Sequence, residues 1–328
     1  MSADFELADV RAAARSIAPF INKTPMQEWQ GRMISERLHP GTDVVLKLEL
    51  FQRAGSFKAR GALVNMLALS EQQKAAGVTA VSAGNHAIAV AYAASVLGID
   101  AKVVMQSSAN PARVAMAEAY GADVIIGGDG PACFAMVDKI VAKEKRTFIH
   151  PFEGRSTSIG TATLGLEFIE DAPGLDAVIV PIGGGGLASG VAAMVKTLNP
   201  DCLLFGVEPE GADSMHRSFA AGEPQTIAKV STIADSLGPP MALPYSFGLC
   251  RQYVDELIMV DDDQICHAML LLFNEMKLAV EPAAAVSTAA LVGPLKEQLA
   301  GKRVGLIICG SNIDPASHAK YLQRALSA

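Results

Sequence analysis

Four short stretches of this sequence carry side chains or bare backbone that could do chemistry. In residues 48–62, LELFQRAGSFKARGA, Lys58 falls in the first turn of a helix, just after Ala54, Gly55 and Ser56. The positive end of a helix dipole disfavours the charged form of a lysine and so helps make it a nucleophile. The plain alternative is a solvated surface lysine, since lysines are seldom buried. In Ser82-Ala83-Gly84-Asn85-His86 the chain turns from strand into helix and offers the Ser82 and Asn85 side chains beside the unpaired amides of a helix N-terminus. That turn reads equally as an anion site or as an ordinary cap. The tetrad Gly183-Gly184-Gly185-Gly186 joins an apolar strand (177–181) to a helix that starts near Leu187, an arrangement in which unhindered amides bind phosphate. No Lys-Ser/Thr follows the glycines and the pattern is not G-x-G-x-x-G, so neither a nucleoside triphosphate nor a dinucleotide is the first choice. A flexible reversing turn is the competing reading. Finally, Cys309 sits at the end of an apolar strand, where by itself it reads as a buried core thiol.

The segments around these stretches alternate. TDVVLKLEL, a helix over 58–69, TAVSA, the helix HAIAVAYAASVLG, AKVVMQ, the helix ARVAMAEAYG and ADVIIGG follow one another in βαβ rhythm. Gly98 and Gly121 each follow the last apolar position of a helix, where a left-handed residue is expected. A second series runs through DAVIVPIGGGG, LASGVAAMVKTL, LLFGVEPE, helices over 264–276 and 284–299, and VGLIICG. Residues 229–255, with Pro239, Pro240 and Pro244, show little periodicity and read as an extended loop that lines something or caps an edge.

Composition agrees with this rhythm. At 328 residues, half of them hydrophobic but only 5% aromatic, the chain suits two lobes in which helices pack on both faces of parallel sheets. The formal charge of −7 comes without a dense basic cluster, which argues against nucleic acid and anionic membrane as partners. Residues 1–20 read as an acidic then amphipathic helix rather than a signal peptide, and no apolar run reaches the roughly 18 residues of a membrane span. The five cysteines (Cys133, Cys202, Cys250, Cys266, Cys309) are scattered with no C-x-x-C pair, so free thiols in a reducing cytoplasm are expected.

In combination the motifs point further. S-F-K-x-R-G-A at 56–62, S-A-G-N-H at 82–86, the tetrad at 183–186, V-E-P at 207–209 and C-G-S-N at 309–312 resemble the fold-type II pyridoxal-phosphate enzymes, in the branch of serine/threonine dehydratases (ammonia-lyases) and serine racemases. The resemblance runs from about residue 15 to 325 and fits in order and spacing. It implies an α/β fold of the tryptophan synthase β type: two open, twisted, mainly parallel sheets flanked by helices. A large cofactor-binding domain (1–72 and 154–328) would hold a small mobile domain (73–153), and two copies would form a homodimer.

The resemblance also assigns roles. Lys58 would hold pyridoxal 5'-phosphate as a Schiff base and move protons at Cα, Phe57 would pack beside the ring, and Asn85 would bond its 3-hydroxyl. Gly183, Gly184, Gly185 and Gly186 would hold the phosphate. Cys309 would face the pyridine nitrogen; a neutral thiol there does not keep that nitrogen protonated, so the ring is a weaker electron sink, which elimination of a β-hydroxyl tolerates. Ser82, Ala83, Gly84, Asn85 and His86 would take the substrate carboxylate and draw the smaller lobe shut. The implied reaction is dehydration then deamination of a small β-hydroxy amino acid, of the L-threonine or L-serine type, to a 2-oxo acid and ammonia. A 3-hydroxyaspartate dehydratase, a serine- or aspartate-type racemase, a β-replacing synthase, and a binding module without activity are the alternatives.

Racemisation needs an acid/base group on each face of the substrate carbon, and the racemases of this branch carry a serine where this chain has Ala83. Elimination is therefore expected to dominate. The branch's cation ligands fall here on Glu208, the Ala212 carbonyl and Ser214, with the Leu237 and Pro239 carbonyls beside them. Serine in place of aspartate lowers the site's charge and resembles a K⁺ site more than a Mg²⁺ or Ca²⁺ site; a solvated acidic rim of Glu208 and Asp213 is the alternative. Residues 152–156 and 159–163 depart from the branch's pattern at positions expected to border the substrate. Arg155 is either a surface residue or a partner for a second substrate carboxylate, and Tyr245 and Ser246 are candidates for shaping the pocket. Only a strand turn and a short helix (318–326) follow Ser311, so control through a C-terminal regulatory domain is not expected.

Overall fold

The two series of strands build two sheets. In a computed structural model that describes residues 5–327, the strands are β1 (Met26–Glu28), β2 (Asp43–Lys47), β3 (Val78–Ser82), β4 (Ala101–Met105), β5 (Asp123–Ile126), β6 (Thr147–Phe148), β7 (Ala177–Pro181), β8 (Leu203–Pro209), β9 (Glu256–Val260) and β10 (Arg303–Ile307). The larger sheet runs β1-β2-β10-β7-β8-β9, parallel except for the edge pair β1–β2. The smaller runs β5-β4-β3-β6 and is parallel throughout. Strand β7, AVIVP, is buried along its whole length because helices cover both faces, as a continuous apolar run in a parallel sheet requires. Gly98 and Gly121 do take positive φ, +66° and +88°. The expected N-terminal helix spans Leu7–Ile17, and residues 1–4 of that expectation lie outside the described residues.

Three helices packed on one another set the relative position of the reactive stretches. Lys58–Leu67 lies on Arg155–Asp171, which lies on Gly186–Leu198. A Cβ on Gly160 would stand 2.5 Å from the Gly61 Cα, and one on Gly190 2.1 Å from the Ser158 carbonyl. Such contacts are closer than any side chain allows, so these backbones are locked at glycine spacing. The same helix stack holds a buried ion cluster. The Arg60 guanidinium is bonded to Glu49 at 2.8 and 2.9 Å and to Glu167 at 2.8 and 2.9 Å, with Lys47 also on Glu167 at 2.9 Å. Arg60 has no exposed surface and its carboxylate partners hold it charged. Removing one member of such a cluster leaves a buried charge unpaired, at a cost of about 3–5 kcal/mol.

Element ends differ from the sequence reading where proline and glycine act. The helix expected over 284–299 is Pro282–Val292: Pro282 starts it at the first position, and Gly293 with Pro294 ends it. The helix expected over 264–276 is α-helical only through Asp262–Leu271 and continues as a π turn over Leu272–Met276. Residues 229–255 are not one extended loop: they contain a 3-10 turn at Asp235–Leu237 and a helix at Pro244–Tyr253. Pro244, read as a loop residue, is in fact the helix's first residue.

Candidate active site

One cavity of about 560 Å³ opens at the carboxyl ends of β3, β7 and β10, the place where parallel α/β sheets bind ligands. It brings together Phe57 and Lys58, the whole of Ser82–His86, the tetrad Gly183–Gly186, and Cys309. Residues 250 positions apart thus share one wall-to-wall space.

Lys58 is not a surface lysine. Its ammonium reaches only the cavity, donates to the Pro151 carbonyl and lies 5.1 Å from the Phe57 ring centroid. Loss of hydration pulls its pKa down to about 8, against the pull of Cys309 and Glu281. Near neutral pH such an amine can lose and regain a proton. Cys309 is buried; desolvation, reinforced by Glu281, pushes its thiol well above the usual range, so it is a neutral group.

The tetrad is a cradle with no room for side chains. A Cβ on Gly184 would stand 2.4 Å from the Phe152 ring, one on Gly186 2.6 Å from the Phe152 Cα and carbonyl oxygen, and Gly185 has φ +88°. Hydroxyls brace it from behind. Thr161 donates to the Gly186 carbonyl at 2.8 Å, and Ser246 Oγ lies 2.9 Å from the Gly184 carbonyl and 2.7 Å from Glu153. This corrects one expectation and decides two open readings. Residues 159–163 do not border the cavity but support its floor through Thr161. Ser246 supports the cradle, and Glu153 accepts the Tyr245 and Ser246 amides at 2.6 and 3.0 Å, capping their helix. Arg155 pairs with Asp9 at 2.9 Å and does not line the cavity, so it is no partner for a second substrate carboxylate.

The Ser82–His86 turn leads into helix Asn85–Leu97 while facing the cavity. Ser82 Oγ accepts the Gly84 amide at 3.0 Å. Asn85 Nδ2 donates to Glu281 at 2.6 Å and lies 3.2 Å from Ser236 Oγ, while its Oδ1 accepts from Asn312 at 2.7 Å. His86 lines the cavity at the end of this turn. Its Nε2–H is committed to the Ile149 carbonyl at 2.8 Å, and burial, helped by Lys58, lowers its pKa to about 3, so it is neutral and presents no cation.

Glu208, Ala212 and Ser214 lie beneath the cradle, outside the cavity lining. Glu208 is fully buried rather than part of a solvated rim. It accepts the Met215 and His216 amides at 2.8 Å each and the His216 imidazole at 2.7 Å, and burial raises its pKa. Ser214 Oγ lies 3.5 Å from the Pro239 carbonyl, while Asp213 turns outward to Arg217 at 3.0 Å. Among the described residues no group of three or more His, Cys, Asp or Glu side chains could hold a metal ion.

Two neighbours were missed by sequence reasoning. Glu281, buried beside Cys309 and Lys58, could have been flagged as an acidic residue directly before a proline-started helix; its pKa is pushed up to about 7 by burial. Arg113 carried no local signal at all. An aromatic wall was missed as well: Phe134, Phe148, His150 and Phe152 stand edge to face, with His150 4.7 Å from Phe152 and 5.4 Å from Phe148. His150 Nδ1 accepts the Glu153 amide at 3.0 Å and burial lowers its pKa to about 4, so this wall is uncharged.

A glycine tetrad with no room for side chains, a poised lysine and a neutral thiol around one cavity fit pyridoxal phosphate by their chemistry. The chain belongs to the pyridoxal-phosphate dependent enzyme family, whose sequence profile matches residues 17–310, and it is a lyase of the dehydratase type. It is 58% identical over 283 residues to a phenylserine dehydratase of Ralstonia pickettii, covering 86% of this chain and 87% of that one. It is 38% identical over 308 residues to the catabolic L-threonine dehydratase of Escherichia coli strain K12, covering 93% and 92%. The structure of maize serine racemase matches it with a TM-score of 0.90 at 34% identity, covering 98% of each chain. These relatives bear out the expected fold class and β-elimination from hydroxy amino acids.

Proposed function

We propose that this enzyme eliminates water, then ammonia, from a β-hydroxy amino acid whose β-carbon carries an aromatic group, of the 3-phenylserine type. The observation that carries the substrate class is the wall of Phe134, Phe148, His150 and Phe152, in a cavity also lined by Pro131, Pro239, Pro240 and Met241. Of the cationic side chains that line the cavity, Lys58 is the reacting amine and Arg113 is bound to Asp235, Glu281 and Asn312. A second carboxylate, as in 3-hydroxyaspartate, would face apolar rings instead.

Pyridoxal phosphate, when bound, supplies the carbonyl that takes up the substrate amine and the ring that withdraws electrons from Cα. Gly183–Gly186 would hold its phosphate, Phe57 would pack beside its ring, and Asn85 and Cys309 would bond its polar ring atoms. Ser82, Ala83, Gly84 and the helix N-terminus at Asn85 orient the substrate carboxylate. Lys58 Nζ takes the proton from Cα and returns one to the departing β-hydroxyl, so that water leaves and an enamine remains, which hydrolyses to 2-oxo acid and ammonia. Ala83 gives the opposite face no acid/base group, which favours elimination over racemisation. The smaller lobe, residues 73–153, moves to admit substrate.

The test is a panel of β-hydroxy amino acids scored for 2-oxo acid. Burying a phenyl in place of a methyl is worth about 2 kcal/mol, so kcat/KM for L-threo-3-phenylserine should exceed that for L-threonine by roughly 30-fold. Phe134→Ala should remove most of that preference and leave threonine turnover unchanged. Faster turnover of 3-hydroxyaspartate than of phenylserine would sink the aromatic assignment.

We also propose that the cation is monovalent. One carboxylate, already bearing three hydrogen bonds, with the Ser214 hydroxyl and nearby carbonyls, suits the low charge of K⁺. Replacing tetramethylammonium by K⁺ at constant ionic strength should raise the melting temperature by roughly 2 °C, through binding to the native state. Ser214→Ala should abolish the rise, and an equal rise from Mg²⁺ alone would reverse the assignment. The five unpaired, buried cysteines accord with the cytoplasm; a homodimer is carried by the family resemblance.

A further inference from the structure

Two charged residues of the cavity wall have no part in the elimination just described. Arg113 lies on helix Pro111–Ala119 beside the smaller sheet, and Glu281 precedes helix Pro282–Val292 beside the larger one. Both are buried, and they meet: Arg113 Nη2 is 3.3 Å from Glu281 Oε2, Nη1 donates to Asp235 at 2.7 Å, and Nε donates to the Asn312 carbonyl at 2.7 Å. The other oxygen of Glu281 accepts from Asn85 at 2.6 Å, and Asn85 in turn accepts from Asn312 at 2.7 Å. The contacts therefore close into a ring of four residues. Gly84 rests directly on the same guanidinium, since a Cβ there would stand 2.6 Å from Arg113 Cδ.

Two features set this ring apart from a buried ion pair that only adds cohesion. Arg113, Gly84 and Asn85 come from elements of the smaller sheet, whereas Glu281, Asn312 and Asp235 come from those of the larger, so the ring exists only while the two halves are together. The carboxylate it holds also faces Lys58 and Cys309, so its charge is felt at the reacting amine. We infer that Arg113 is a positioning residue: by gripping Glu281 across the two halves it holds that carboxyl group against Asn85 and ties the seating of the Ser82–Asn85 turn to the readiness of Lys58. The inference deepens the elimination reading and depends on it.

The expected sign follows from the groups that face Glu281. Burial and Asp235 push its pKa up, while Arg113, Asn85 and Ser236 oppose them, Arg113 most strongly; Lys58 and Cys309 are the remaining titratable neighbours. Loss of the guanidinium raises the pH at which Glu281 ionises, and loss of the Asp235 charge lowers it.

The experiment follows the holoenzyme in two ways: kcat/KM against pH, and the cofactor's visible absorbance titrated against pH without substrate. In Arg113→Gln the acidic limb should move up by about one pH unit or more, the size of effect an adjacent opposite charge has on a carboxylate. At neutral pH kcat should fall roughly tenfold with little change in KM, and Arg113→Lys should restore most of it. Asp235→Asn, at a half-exposed position, should move the same limb the opposite way, which keeps the idea testable if Arg113→Gln does not fold. An unchanged limb and absorbance titration in both Arg113→Gln and Asp235→Asn, whatever the change in melting temperature, would reduce Arg113 to a structural ion pair. Absence of a visible band in the parent enzyme would instead count against the elimination reading itself.

Discussion

Lys58→Ala should purify without the visible absorbance of a bound cofactor and should release 2-oxo acid from any β-hydroxy amino acid about 10⁴-fold more slowly than the parent. The size of the effect follows from the two tasks proposed for the lysine, as the cofactor's covalent anchor and as the base at Cα, which no other group in the cavity can take over. His86 and His150 are both neutral, the first donating to the Ile149 carbonyl and the second accepting backbone amides. Cys309 is pushed well above the thiol range and holds its proton. Folding should survive. Lys58 occupies the first position of its helix, alanine is a good residue there, and the change removes an amine whose burial is itself unfavourable. An unshifted melting temperature with a vanished band is the result that separates loss of chemistry from loss of structure. Retention of both band and activity would remove Lys58 from the mechanism.

The second large effect lies in the cradle. Gly186→Ala should weaken cofactor binding by about 100-fold, the equivalent of the 1–3 kcal/mol that overpacking a rigid site costs. The added methyl would stand 2.6 Å from the Cα and carbonyl oxygen of Phe152. Those are backbone atoms, which cannot swing aside as a side chain can, so the amides of the tetrad must move instead. Gly248 is the control. It lies exposed on helix Pro244–Tyr253 with nothing within 4 Å of a new Cβ, and its change to alanine should leave cofactor affinity alone while adding about 0.5–1 kcal/mol of helix stability. Titrating each apoenzyme with pyridoxal phosphate and following the visible band compares them directly. Equal affinities for the two variants would mean that the tetrad is a turn and not a cradle.

Much of the site was readable in advance because its parts are backbone conformations with local causes. A glycine tetrad after a buried strand, a serine two residues before a helix's first amide, and glycines past helix ends each announce themselves within a few residues. Two of the boundaries that failed did so where one proline was open to two readings. Pro244 starts a helix inside a segment that looked irregular, and Pro294 stops one that looked longer. The border of the substrate pocket failed for another reason. Residues 159–163 and Arg155 lie near the motif in sequence, but their helix turns them toward the cradle's underside and toward Asp9, and helix rotation relative to a cavity has no local signature.

The chemistry of this protein, then, was indicated by sequence alone: a lysine, a glycine tetrad, an amide-bearing turn and a thiol in this order can converge on one pyridoxal ring, and Ala83 in place of a serine points to elimination. Only the tertiary structure decided the environment of those groups. Whether Lys58 is hydrated or poised, whether His86 offers a proton or has already committed it, and whether the β-carbon meets charge or aromatic rings all depend on residues far apart in the chain. Burial and pairing are properties of the whole packing, and a carboxylate such as Glu281 acquires its partner Arg113 only where elements of the two sheets meet.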